Sequence, residues 1–425
     1  MFLIDKIFCE AMTNLYKTLT SKAIRTLMFT SVIALMIPIS AMATIGDIKP
    51  GTPFIPDPAG NGRAIAYDGA ITLYYTLFDG TSDIYTVQTD GTSLGAIPNP
   101  GRAPCGALDW DPSTSQLWCG SYDGLGDIYT IDPTTGIATL QFNQAAFGGF
   151  AADSCFNGTA TGFIDGLALD DDGTLWLSDD GARTIYHVTA AGALIGSFTP
   201  PDIPGTGTTG CSTGIEVVPG GFLELGLLAP DFPFDGTIVK IEKDDSIDNP
   251  ATIVDFAAPG VEDIAYDPNT FAPRCAIWVN VFGIQNPITA YDGQCTRTIG
   301  YWKNHSDDAT AFLPISLGDG TNDGVCQVVD DAAEVESVLK ASKGQDVAPK
   351  LKAQLLAAKL NVALGDIPPA DLATIAVTIA DADTLLSLDT GGSNCTPDTG
   401  KNGVDRAAAQ ALLSALDAFN NMYSP

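Results

Sequence analysis

Histidine is almost missing from this chain. Two among 425 residues, His187 and His305, leave a His-ligated zinc site or a Ser-His-Asp triad almost nothing to draw on. Basic residues are few as well: 20 Lys plus Arg stand against 51 Asp plus Glu, a formal net charge of -31. That balance excludes nucleic acid as a partner, because phosphate recognition needs Lys and Arg. No CxxC pair occurs, so the cysteines do not read as a zinc or thiol-redox site. Long apolar runs are absent but for one, Leu27 to Ile39, too short to cross a bilayer, which takes about 20 residues.

That single run follows Lys17, Lys22 and Arg25 and ends in Ala41-Met42-Ala43. A charged stretch, an apolar stretch and an A-x-A site make a secretory signal peptide. Residues 1–43 are expected to be removed, leaving a secreted, extracellular or periplasmic protein that starts at Thr44, with no integral membrane segment. The cysteines agree. Beyond Cys9 they are Cys105, Cys119, Cys155, Cys211, Cys275, Cys295, Cys326 and Cys395, an even set that reads as disulfides in an exported protein. Connectivity is formally open; local pairing favours Cys105 with Cys119, Cys155 with Cys211, Cys275 with Cys295, and Cys326 with Cys395.

Most of the acid is Asp, and much of it precedes Gly: Asp68, Asp79, Asp90, Asp123, Asp172, Asp180, Asp235 and Asp292. Asp-Gly between apolar runs is hairpin chemistry, because Gly supplies positive φ and Asp bonds its own backbone. Those runs repeat. Ile65-Ala66-Tyr67-Asp68 returns as Leu108-Asp109-Trp110-Asp111, Leu167-Ala168-Leu169-Asp170, Ile215-Glu216-Val217-Val218 and Ile264-Ala265-Tyr266-Asp267. Each opening is followed by a second strand, such as Leu175-Trp176-Leu177, and a third, such as Thr184-Ile185-Tyr186-His187-Val188. Strand meanders of about 40–50 residues are β-propeller blades. The expectation is a mainly β chain, a five-bladed propeller over 44–295 followed by a smaller all-α domain. A sixth blade within Asn143 to Gly162 is the alternative. The repeat stops after the third strand of its fifth copy, so Ile45 to Ile55 is expected to add the missing outer strand.

After Cys295 the strands give way to Ala, Leu and Lys at helical spacing. Helices are predicted over Ala332–Ala341, Val347–Leu364, Ala370–Leu388 and Val404–Asn421, a bundle filling 296–425. At the junction, Gly300-Tyr301-Trp302-Lys303-Asn304-His305 resembles the GYWKNH signature of exported proteins of unassigned function. Gln354 to Val362, Ile379 to Asp383 and Leu416 to Asn421 match the same pattern in order, while Ser306 replaces the Pro that commonly follows the His. Tyr301, Trp302, Lys303, Asn304 and His305 are either a ligand site built on ring faces or a plug that caps the bundle.

The stretch Asp165-Gly166-Leu167-Ala168-Leu169-Asp170-Asp171-Asp172-Gly173-Thr174-Leu175-Trp176 resembles blades of the NHL and SMP-30/gluconolactonase-like propellers. The resemblance implies one divalent metal at the channel mouth, held by Glu, Asn and Asp. Aligning the five copies puts Arg63, Gly106, Asp165, Thr213 and Glu262 at equivalent positions before the innermost strand, with Asp263 one step on. Asp165, Glu262 and Asp263 are thus candidate ligands for a hard cation such as Ca²⁺, and Arg63, Asp165, Thr213, Glu262 and Asp263 candidate binding residues. No Asn occupies an equivalent position. Two functions follow: an exported, non-catalytic binding protein that contacts an extracellular ligand, glycan or protein through the propeller, or a metal-dependent, lactonase-like hydrolase at the channel mouth. Intact-mass analysis of unreduced mature protein should give a chain starting at Thr44 with few or no alkylatable thiols; an uncleaved N-terminus would overturn the export reading.

Overall fold

A computed structural model describes residues 45–422, apart from 79–82, 99–102, 154, 157, 159, 219–221, 230–235, 273, 284–286, 294–295, 319–325, 341–345, 365–368, 389–396, 398, 401–402 and 404. The expected signal peptide, Cys295 and Cys395 lie outside the described residues.

The apolar openings of the five repeats become the first strands of five antiparallel meanders: Gly62–Tyr67, Cys105–Asp111, Ile164–Leu169, Cys211–Val218 and Val261–Asp267. Burial runs almost unbroken along them because both faces pack, one blade against the next. The apolar clusters prove the ring. One joins blades one and two through Ala66, Tyr74, Leu108 and Leu117. Others join two and three, three and four, four and five, and the last joins five to one through Trp278, Ile288, Ile65 and Tyr75. Five interfaces close five blades, and Asn143 to Gly162 is no sixth. It holds a 3-10 turn, Gln144–Phe147, whose Phe147 packs with Phe150 on Tyr186.

Blades one to four have an outer fourth strand that the repeat strings do not announce: Ser93–Ile97, Ala138–Asn143, Leu194–Phe198 and Val254–Ala257. The first three are mostly exposed and carry no alternation. Blade five has three strands of its own. The segment after residue 45 completes it, with bridges Ile48 to Tyr291 and Phe54 to Ile288 and amide bonds from Gly46 and Lys49 to the carbonyls of Asp292 and Ala290. Lys49, 4% exposed, pairs with fully buried Asp292, which also accepts from Arg274 at 3.0 Å.

Cys105–Cys119 and Cys155–Cys211 are disulfides, with Cα atoms 5.4 and 5.9 Å apart. Cys326 is also disulfide-bonded, and Cys275 is buried at the start of the blade-five hairpin. Thr199 to Gly210 contains a short hairpin of Asp202–Ile203 and Thr208–Thr209.

The helical region has its own core, from Trp302 to Phe419. Its helices are α1 (Ile299–Asn304), α2 (Ala332–Lys340), α3 (Ala348–Leu364), α4 (Pro369–Leu386) and α5 (Arg406–Met422). The last four fall within a few residues of the periodicity. The motif helix α1 and a small hairpin of Ile315–Leu317 with Gln327–Val329 are additional. α3 is buried nearly all round, its Leu351, Leu355, Ala358 and Leu360 fully enclosed, and forms the bundle's centre.

The strap is the ring's clasp, and it rests on a buried charge. Lys49→Met should destabilise the chain by roughly 3 kcal/mol, the lower end of the cost of breaking a buried ion pair, because Arg274 still faces Asp292. Urea unfolding measures it, and an unchanged midpoint would show that the pair contributes nothing.

Candidate functional site at the channel mouth

The five equivalent positions picked out by the repeat share one backbone feature. In every blade the register between first and second strand slips there. Arg63 lies in the slip between Gly62 and Ile65, and Gly106, Asp165, Thr213 and Glu262 are each the extra residue in their blade. A β-bulge leaves one residue unpaired and re-aims its side chain. Here five bulges sit at the same end of the propeller and present Arg63, Asp165 and Glu262 to the axis.

The residue that follows each second strand completes the mouth: Phe78, Tyr122, Asp180, Ala229 and Phe282. Sequence reasoning missed these, although their equivalent places after Leu77, Ser121, Asp179, Leu228 and Val281 are a usable signal. All but Ala229 join Arg63, Phe156, Leu228 and Glu262 in enclosing a cavity of ≈190 Å³. Phe78 meets Phe282 and Tyr122 edge-on, both at 5.9 Å between ring centroids. The Arg63 guanidinium is held between rings, 3.3 Å from the Tyr122 centroid and 4.0 Å from that of Phe78.

Beneath the rings lie the acids. The Tyr122 hydroxyl donates to Asp180, and Asp180 is the neighbouring charge that acts most strongly on Asp165. Burial drives Asp165 well above the usual carboxylate range, helped by the neighbouring charges of Asp180 and Glu262 and opposed by Arg63. Burial likewise pushes Glu262 up to about 8, with Asp180 adding to the rise and Arg63 resisting it. Asp180 also moves upward for the same first reason.

Asp263 does not join this group. Its Oδ2 accepts from the amides of Ile65 at 2.9 Å and Leu108 at 3.4 Å, and its Oδ1 from Ile264 at 3.0 Å. The carboxyl is fully buried and ties blade five to blades one and two. Deeper along the channel, Asp109 accepts from Leu169 N and Trp110 N, both at 2.6 Å, and Glu216 accepts from Tyr266 N at 3.2 Å. These staple blade two to three and four to five. Thr213 is equally inward and structural, donating to the Val261 carbonyl at 2.9 Å. Gly106 has no room for a side chain, since a Cβ would lie 2.0 Å from the Ile164 carbonyl oxygen.

Of the three expected cation ligands, Asp165 and Glu262 share the mouth with Asp180, and Asp263 turns to the backbone amides. Asp263 is engaged by backbone amides, and a guanidinium already faces Asp165 and Glu262. Among the described residues no three His, Cys, Asp or Glu side chains are arranged to hold a metal.

The GYWKNH motif is a joint. Trp302 is wholly buried and donates to Asn361 Oδ1 at 3.0 Å. Tyr301 has both faces covered, by the Arg297 guanidinium at 4.5 Å and the His305 ring at 4.6 Å, and donates to Asp308. Lys303 is half-buried, and Asn304 and His305 are exposed. Arg297, 2% exposed, donates from its backbone to Asn361 and from its guanidinium to the Pro268 carbonyl, so the motif is pinned against blade five.

His187 is better partnered than composition suggests. Its Nδ1 lies 3.0 Å from Asp245 and its Nε2 2.8 Å from Thr174 Oγ1, with the ring stacked on Trp176 at 3.9 Å. The Thr174 hydroxyl also donates to Asp172. This is a clasp between blades three and four. Gly91-Thr92-Ser93-Leu94-Gly95 has nucleophile-elbow spacing but lies on an exposed outer strand, Ser93 donating to the Asp57 carbonyl.

No protein-family model matches the chain, and no curated protein matches it by sequence. Among solved structures it is similar to a chain of a nidogen/laminin complex, at 15% identity and a TM-score of 0.32, covering 47% of this chain and 65% of that one. It is similar to regucalcin, a calcium-binding protein from Agrobacterium tumefaciens, at 16% identity and a TM-score of 0.37, over 59% of this chain and 94% of that one. It is also similar to a gluconolactonase from Xanthomonas campestris, at 14% identity and a TM-score of 0.35, over 57% and 88%. The β-propeller thus has structural neighbours of the SMP-30/gluconolactonase/regucalcin type.

Seven enclosed carboxyls sit above their unfolded values: Asp109 and Asp179 at about 7, Glu262 at about 8, and Asp165, Asp180, Glu216 and Asp263 shifted the same way, each chiefly by burial. Between about pH 4, where free carboxyls ionise, and pH 8 the folded state holds more protons than the unfolded one. Stability must fall as pH rises across that window. The unfolding temperature should be highest near pH 5 and drop toward pH 8, and Glu262→Gln should flatten the upper part of the curve. A profile rising from pH 5 to pH 8 would refute this.

Proposed function

We propose that the chain is an exported, non-catalytic binding protein that seats a small polar ring, one sugar residue of a glycan, in the propeller mouth. The single observation carrying this is the composition of that cavity: Phe78, Phe156, Phe282 and Tyr122 above, Asp180, Glu262 and Arg63 below. Aromatic faces take the apolar faces of a sugar ring, while convergent carboxyl and guanidinium groups fix its hydroxyls. At ≈190 Å³ the cavity is smaller than the roughly 300–1,000 Å³ of drug-sized sites, which suits one ring rather than a chain of them.

The hydrolase reading needs a cation held by the mouth acids, and these residues do not fit one. Asp263 is engaged by three backbone amides, and Arg63 supplies the positive charge beside Asp165 and Glu262.

Calorimetry of the full chain against a panel of monosaccharides should find at least one that binds. Phe282→Ala and Phe78→Ala, at rim residues 37% and 47% exposed, should each weaken it about tenfold, the equivalent of ~1.4 kcal/mol, without loss of fold. No saturable binding by any saccharide, or Ca²⁺-dependent turnover of a lactone, would overturn the proposal.

A further inference from the structure

The least ordinary group in the mouth is Arg63. A guanidinium carries five N–H donors in a fixed fork, and burying such a charge without hydrogen bonds is costly. Arg63 is 4% exposed. Its Nε is buried with no hydrogen-bond partner, and among the described residues no ion pair or side-chain hydrogen bond is made by it. The ring faces of Phe78 and Tyr122 stabilise its charge but leave its in-plane donors unused. Arg63 lines the mouth cavity.

We propose that Arg63 makes the mouth an oxyanion receptor, and that the ligand presents a carboxylate to it. This rests on the reading of the mouth as a sugar site and narrows it to an acidic sugar. A planar carboxylate can meet two parallel N–H donors of such a guanidinium, the geometry that makes Arg–carboxylate pairing bidentate. The groups facing Arg63 are Asp165 and Glu262 from the first-strand bulges, with Tyr122 and Asp180 from the ends of second strands. Burial raises the pKa of Asp165, Asp180 and Glu262, and the Arg63 guanidinium opposes the rise in each.

Calorimetry with the full chain tests this using sodium glucuronate, its neutral methyl ester, glucose and acetate. Glucuronate should bind at least tenfold more tightly than the ester or glucose. Acetate separates sources: weak binding by acetate with tight binding by glucuronate supports an acidic sugar, while equal binding of both would overturn the sugar part and leave a bare carboxylate site. Arg63→Gln should erase the preference for glucuronate over glucose. The acid-to-ester comparison on wild-type protein decides the matter even where that variant does not fold. Equal affinity for acid, ester and glucose, or a preference that survives Arg63→Gln, would sink the oxyanion proposal and leave the sugar reading standing. Binding of none of the four by wild type would remove the acidic-sugar inference, and failure across the wider saccharide panel would remove the reading beneath it.

Discussion

A ring of blades has no centre of its own, and in this protein one carboxylate supplies it. Asp263 reaches across the axis from blade five and takes the amides of Ile65 in blade one and Leu108 in blade two. Around it the equivalent positions are Ala64, Ala107, Gly166 and Gly214, small enough to let it in. A Cβ on Gly214 would fall 2.8 Å from the Asp263 Cα. Asp109 and Glu216 repeat the device one turn of the pleat deeper. An acidic channel that looks built for cations is thus largely a set of acid-to-amide staples between neighbouring blades. Because those carboxyls are deep and crowded, they hold protons poorly released at neutral pH, so cohesion at the axis and the acidity of the surroundings are linked.

The mouth depends on that closure. Its side chains arrive from all five blades, and none of them touches another through local sequence. The first strands were legible because each repeats a short apolar string, and their alignment located Arg63, Asp165 and Glu262 correctly at the bulge. The alignment gave no direction, however. Glu262 and Asp263 are adjacent, yet one sits at the mouth and the other is consumed at the axis, because a bulge separates them. Phe78, Tyr122, Asp180 and Phe282 escaped notice because they stand just beyond strands, outside the repeated strings. The outer strands escaped for another reason: exposed on both faces, they have no apolar alternation to read.

The helical region was legible in its four longer helices from their runs of Ala and Leu, although the central α3 is buried nearly all round. Its signature motif was read only as a choice between plug and ligand site. The buried Trp302–Asn361–Arg297 network shows why sequence could not choose: what decides is that Asn361 lies fully enclosed on α3 and bonds the motif backbone and indole together. Asn420 joins the same knot from α5. Asn at an interior helix position carries little signal until its partners are known.

The strap that completes blade five sets an order of events. Lys49 stands near the start of the described residues, and its partner Asp292 lies 243 residues further on. A chain delivered from its N-terminus, whether by a ribosome or through a membrane pore, must therefore present its first strand long before that strand has anything to pair with. Until the last blade emerges, blade five's future edge and the strap are both unpaired strands, the kind of surface that invites wrong partners. Closure of so distant a contact is intrinsically slow. The helical region follows immediately behind, and Arg297, anchored to the Pro268 carbonyl, seats it against the blade that has just closed.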